Sequence, residues 1–217
     1  MCLILVAWKA APHPLVVAAN RDEFHARAAA PAAFWDDRPA ILAGRDLEAL
    51  GTWMGVSRNG RFAAVTNYRG AREPRAAESR GALVTRFLEN GETAAAYVGS
   101  LAARSAEYSG FNLLTSDGEE LWWLSNRGGE PHRLDPGVYG LANALLDSPD
   151  VAPRKRRFSE ALESGAAVEP LFRVLAEARI IDPVYGTRCS TVLFDRRYAE
   201  RTYSADGAEQ DTVHYAF

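Results

Sequence analysis

The stretch Cys2-Leu3-Ile4-Leu5-Val6-Ala7-Trp8, followed by Leu15-Val16-Val17-Ala18-Ala19-Asn20, decides the reading of the fold. Each run is continuous, apolar and of strand length, the pattern of a strand covered on both faces. Pro12 and Pro14 mark the connection between them as a loop that folds the chain back. If Trp8 faces Leu15, Cys2 lies opposite Arg21, flanked by Asn20 and Asp22; a slip of a residue or two is the alternative register. The hairpin alone therefore brings a cysteine beside the polar run Asn20-Arg21-Asp22-Glu23.

Working outward, Thr52–Ser57 and Arg61–Asn67 flank Arg58-Asn59-Gly60, and Asn-Gly is the strongest short hairpin signal. Between the two hairpins, residues 26–33 are Ala-rich with Arg27 and Pro31 interspersed and read as a connecting segment. Ser79 is placed to cap a helix over Gly81–Glu89, with Leu83, Val84, Phe87 and Leu88 on one face. Glu92–Arg104 reads as a second helix. Strands are expected again at Phe111–Thr115, Glu120–Ser125 and Gly137–Asn143. Helices are expected at Arg154–Glu163 and Pro170–Ala178, then strands at Cys189–Asp195, Glu200–Ser204 and Thr212–Phe217. That order, strands then helices then strands again, predicts an α+β fold. Its expected form is a four-layer αββα sandwich of two antiparallel sheets, in a single domain over residues 1–217.

The 217 residues are 47% hydrophobic and 24% charged, enough to bury a substantial core. A net charge of −3 offers no global basic field for nucleic acid or an anionic membrane. Arg154-Lys155-Arg156-Arg157, the sole basic cluster, reads as a solvated helix face. Two distant cysteines, Cys2 and Cys189, are not a disulfide framework. Their usage fits a reducing compartment, so the expected location is the cytoplasm. The first apolar run is too short for a secretory signal and lacks a basic leader, and no stretch approaches the ~20 apolar residues of a membrane span. The four histidines show no metal spacing, no metal site is expected, and no nucleotide or serine-hydrolase motif is present.

Cys2 carries the chemistry. Its size permits removal of Met1, which would put a thiol and a free α-amine on one residue. The thiolate can then attack an acyl carbon with the α-amine as base. An α-amine titrates near ~8 and a thiol near ~8.5, so neutral pH supplies a usable fraction of each. The plainer alternative is a small hydrophobe that starts a strand. Asn67 and Asn143 end strands and can donate to a developing oxyanion, or else simply form turns. Asp22 can orient the amine, and Arg21 can pair with Asp22, Glu23 or a substrate carboxylate. Arg188 can bind an anionic group or hold Asp22, or be a surface arginine at a strand start. Trp35, Trp53, Trp122, Trp123 and Tyr68 can line a ligand pocket, although tryptophans in strands commonly serve the core.

Several segments together resemble one family, the NRDE family of transport and Golgi organisation protein 2. They are Cys2, Ala18-Ala19-Asn20-Arg21-Asp22-Glu23-Phe24, Gly51–Ser57, Thr66-Asn67-Tyr68 and Gly110-Phe111-Asn112-Leu113. Asn126-Arg127-Gly128-Gly129, Tyr139–Leu146 and Tyr185-Gly186-Thr187-Arg188 complete the set. The order Cys2, Asn20-x-Asp22, Asn67, Asn143, Arg188 is also similar, more distantly, to choloylglycine hydrolases and penicillin V acylases. These are N-terminal nucleophile hydrolases of αββα architecture. That likeness implies catalytic roles for Cys2, Asp22, Asn67, Asn143 and Arg188, and substrate contacts at Asn20, Arg21 and Tyr68. The sequence departs where that group carries an arginine before its Asn-x-Asp: Ala19 stands there, and the arginine is Arg21.

The activity so implied is hydrolysis or acyl transfer on an amide or thioester of a small or lipidic acyl substrate, with no cofactor required. The NRDE resemblance also implies the alternative, a non-catalytic carrier of haem or an acyl lipid such as acyl-CoA, with a role in Golgi organisation in animals. The expected partner is in either case a small molecule, an acyl lipid or haem, and the oligomeric state is left open.

Overall fold

A computed structural model describes residues 2–10, 12–70, 78–165, 167–194 and 196–217. The chain divides into two compact units. One comprises Met1–Arg27, Pro136–Ala142 and Leu146–Phe217; the other comprises Ala28–Asp135 and Asn143–Leu145.

The first unit is built on the opening hairpin. Strands β1 (Leu3–Trp8) and β2 (Leu15–Phe24) pair antiparallel, with Leu3 opposite Asn20 and Trp8 opposite Leu15, the expected register. Every residue of β1 is buried: neighbours flank it on both edges, and Leu3, Leu5 and Ala7 enter the apolar cluster of this unit. Strand β10 (Gly137–Leu141) pairs on its free edge, and β11 (Tyr185–Phe194), β12 (Arg197–Tyr203) and β13 (Glu209–Ala216) extend the sheet beyond β2. The sheet order is β10-β1-β2-β11-β12-β13, antiparallel throughout. Helices α3 (Ala152–Glu163) and α4 (Val168–Ala176) cover one face, where Phe158, Leu171, Phe172 and Leu175 meet Leu5, Val16, Ala18 and Val192.

The second unit is a meander. Strands β3 (Ala29–Trp35), β4 (Arg38–Asp46), β5 (Met54–Ser57), β6 (Phe62–Asn67), β7 (Phe111–Ser116), β8 (Leu121–Ser125) and β9 (His132–Leu134) pair in chain order. The Asn59-Gly60 turn closes β5 onto β6, with Gly60 at φ 88°. Helices α1 (Gly81–Glu89) and α2 (Ala94–Ala102) pack on this sheet through Leu83, Val84, Phe87, Leu88 and Val98.

Residues 26–33, expected to be a connection, instead enter strand β3. Its pairing with β4 is irregular, with register shifts between Ala30 and Ala33 and between Phe34 and Trp35. Alanine is a poor strand former, so the pairing partner supplied by the fold overrides local preference here. Strands β4 and β9 leave too little alternation to be read from sequence. Asn143 falls beyond β10, which stops at Leu141. Helix α1 begins after Arg80, while Ser79 still accepts the Gly81 N–H at 3.3 Å. The expected strand end Asp195 lies outside the described residues. Among the described residues no helix is long and apolar enough to cross a membrane.

Candidate active site

Cys2 stands one residue before β1, partly buried. Its thiol donates to the Asp22 carbonyl at 3.5 Å. Burial, followed by the Asp22 carboxylate, pushes the thiol pKa up; the bond to the Asp22 carbonyl and the Arg21 guanidinium pull the other way without cancelling this. The resting group is therefore a neutral thiol at neutral pH, and its attack on an acyl carbon requires a base that takes the proton. The expected removal of Met1, which would free that base, concerns a residue outside the described ones.

The Asp22 peptide is held from both ends by the start of β11. Tyr185 donates its phenol proton to the Asp22 carbonyl at 3.1 Å, the same oxygen that receives the Cys2 thiol. Thr187 donates its hydroxyl to Asp22 Oδ1 at 2.6 Å and accepts the Ile180 N–H at 2.8 Å. Both Asp22 and Thr187 are buried, so a bond here is stronger than in water and its loss costly. Between them, Gly186 packs where no side chain fits: an added Cβ would lie 2.8 Å from the Ile180 carbonyl and 3.0 Å from His25 Nε2. The Tyr185-Gly186-Thr187 run is thus a clamp on Asp22.

Arg188 does not take the role of holding Asp22 that the sequence left open. It lies at the register shift between Thr187 and Cys189, and its Nη1 donates to the carbonyls of Phe24, His25 and Arg27 at 3.1, 3.3 and 2.9 Å. It fixes the turn that follows β2. Asn20 is fully buried, donating to the Leu175 carbonyl at 2.9 Å and accepting the Ser190 hydroxyl at 2.6 Å. Those bonds tie β2 to α4 and β11. Arg21 is buried across from Cys189, with its guanidinium 3.9 Å from Glu23.

Asn67 and Asn143 come together in the second unit. The Asn143 side chain donates to the Asn67 carbonyl at 2.8 Å, and the Arg69 N–H donates to the Asn143 carbonyl at 2.6 Å. Asn112 anchors the same segment from below, donating to the Ala144 carbonyl at 2.9 Å and to Thr66 Oγ1 at 3.2 Å. Tyr68, half-buried, donates its N–H to the Gly110 carbonyl at 2.9 Å. The structure thus gathers Cys2, Asp22 and Arg188 in the first unit and Asn67, Asn143 and Tyr68 in the second. Of the aromatic residues considered as pocket lining, Trp35 lies in the core, with its indole N–H on the Ala43 carbonyl at 3.0 Å.

A model of the family described as transport and Golgi organisation 2 matches residues 1–184. The chain belongs to this family. A transport and Golgi organization protein 2 homolog from Bos taurus is 36% identical, with 89% of this chain and 88% of that protein covered. Among solved structures, a Caenorhabditis elegans N-acylethanolamine-hydrolyzing acid amidase ortholog superposes with a TM-score of 0.57 at 12% identity, covering 88% of this chain and 92% of that one. The mutant C2A conjugated bile acid hydrolase of Clostridium perfringens superposes with a TM-score of 0.59 at 10% identity, covering 100% of this chain and 97% of that one. These likenesses show the fold: two antiparallel sheets with helices packed on them, of the N-terminal nucleophile hydrolase type.

For this member of the transport and Golgi organisation 2 family, three residues around the site escape a reading of residue types alone: Tyr185, Thr187 and Asn112. Tyr185 and Thr187 sit in the run that was singled out for Arg188, and Asn112 in the Gly110–Leu113 run. A buried polar residue inside an otherwise apolar strand was the available signal at Asn112.

Proposed function

We propose that this chain is an N-terminal cysteine nucleophile that cleaves an amide or thioester bond of an acyl substrate. The observation that carries the reading is Cys2 at the head of a central strand, its sulfur on an Asp22 peptide that is fixed at the carbonyl by Tyr185 and at the carboxylate by Thr187. Once Met1 is removed, the α-amine takes the thiol proton as Sγ bonds to the acyl carbon. The C–N or C–S bond breaks, and the α-ammonium returns the proton to the departing amine or thiol. Water then attacks the Cys2 thioester, releasing the acid and restoring the thiol. Asp22 orients the amine. The amidase and bile acid hydrolase folds support this reading by architecture.

The test is intact-mass analysis of native protein after exposure to an acyl thioester. Loss of Met1 and a single acyl adduct, absent in Cys2→Ala, is the expected result. Retained Met1 as the dominant native form overturns the mechanism.

A second reading rests on membership of the transport and Golgi organisation 2 family, whose description names transport and no reaction. On this reading the protein carries haem or an acyl lipid without chemistry. Haem binding by Soret shift that survives Cys2→Ala, with no acyl turnover, selects the carrier.

A further inference from the structure

The two sheets end in the edge strands β3, β9, β10 and β13, and the first three are poor templates for further pairing. Strand β3 carries Pro31 and two register shifts. Strand β9 is only three residues long. Strand β10 is plugged by Asp147, whose N–H donates to the Gly140 carbonyl at 2.8 Å and whose carboxylate accepts the Gly140 N–H at 2.8 Å. Lys155 holds that carboxylate at 2.7 Å. Proline, shortness and a covered edge are the means by which sheets avoid joining one another.

Strand β13 has no such block. It runs eight residues, Glu209–Ala216, without proline, and none of them is buried. Among the described residues it pairs with β12 alone, and its one register shift lies at the Tyr203 end. Phe217 turns its N–H inward to the Arg196 carbonyl at 3.1 Å, while the Thr212 N–H meets the Asp211 carboxylate at 2.8 Å. Strand alternation therefore aims the backbone groups of Thr212, His214 and Ala216 at the open edge. Charge is graded along that edge. Glu209 and Asp211 stand at its start; the Glu209 side chain reaches Arg201 at 3.4 Å yet stays 60% exposed. Exposed Arg196 and Arg197 stand at its end, Arg196 donating to the Phe217 carbonyl at 2.6 Å and Arg197 lying opposite Ala216.

We infer that β13 pairs antiparallel with β13 of a second copy of this chain, about a twofold axis at Val213, so that two first-unit sheets become one. In that register Thr212 of each copy exchanges backbone hydrogen bonds with His214 of the other. Glu209 of each copy lies opposite Phe217 of the other, beside the Arg196 that holds its carbonyl. A parallel copy would set Glu209 and Asp211 against their own kind. The match is built into a single strand, which selects a second copy as the occupant.

Sedimentation equilibrium of the full chain over a range of protein concentrations tests the pairing. A reversible monomer–dimer equilibrium that weakens as salt rises is the expected result. His214→Pro removes an outward N–H that β12 does not use, so the chain should keep its circular dichroism and lose the dimer. Glu209→Arg should weaken dimerisation about fivefold. Adding Arg196→Glu to it exchanges the two charges and should restore the dimer. Hydrogen exchange reads the same edge: the Thr212 and His214 amides should be protected at high protein concentration and exposed at low. A monomer at every concentration, a dimer that survives His214→Pro, or a dimer indifferent to Glu209→Arg overturns the inference. Should His214→Pro fail to fold, the charge exchange and the two amides decide it.

Discussion

Thr187 donates its hydroxyl proton to the Asp22 carboxylate over 2.6 Å, across 165 positions of sequence. The hydroxyl also receives the Ile180 N–H, so one small side chain sets both the aim of a buried carboxylate and the end of the segment after α4. Thr187→Val keeps the shape and removes both bonds. It should destabilise the protein by about 1–3 kcal/mol, the cost of leaving buried partners unsatisfied. Urea unfolding measures this; Thr187→Ser should restore most of the loss, and an unchanged midpoint in Thr187→Val would sink the clamp.

The charge on Asp22 raises the Cys2 thiol pKa. Asp22→Asn removes that repulsion, so the thiol pKa should fall and the thiolate fraction at a given pH should grow. Iodoacetamide should therefore label Cys2 faster at pH 7 in Asp22→Asn than in wild type, with the midpoint of the rate–pH profile moved down. Acyl turnover should fall at the same time, because the amine loses its acceptor. Parallel changes in labelling and turnover would show that Asp22 acts only by keeping the fold.

The Asn143 side chain holds the Asn67 peptide at 2.8 Å through the backbone carbonyl. Asn143→Ala should destabilise the protein by about 1 kcal/mol, the loss of one hydrogen bond. Asn67→Ala keeps that carbonyl and should cost less. Equal unfolding midpoints for Asn143→Ala and wild type would deny the bond a role.

Arg188 spans three backbone carbonyls with one guanidinium nitrogen. Alanine there removes all three bonds. Arg188→Ala should loosen the turn after β2, and trypsin should cut after Arg27 faster than in wild type. Equal cleavage rates would deny Arg188 its role in ordering the turn.

The candidate site was legible in part because the residues that carry chemistry stand at readable places. Cys2 opens an unbroken apolar run, and hairpin pairing then fixes what lies opposite it. Asn67 and Asn143 were visible as polar ends of apolar strands, although Asn143 proved to lie past its strand. Arg188 was visible as a residue but not in its contacts, because the carbonyls it meets lie more than 160 positions away in sequence. Asn20 was read as facing a substrate, and its amide is instead bonded to Leu175 and Ser190.

The sequence by itself determined the strands with unbroken apolar runs, both Gly-turned or Pro-turned hairpins, and the face each early helix buries. These depend on side-chain periodicity and turn chemistry within a few neighbouring residues. Only the tertiary structure decided that Ala29–Trp35 is a strand, that Tyr185 and Thr187 clamp Asp22, and that Asn143 joins the unit containing Asn67. Each of those depends on a partner far along the chain. A hydrogen bond or pairing edge supplied from a distance leaves no periodicity at the residue that receives it.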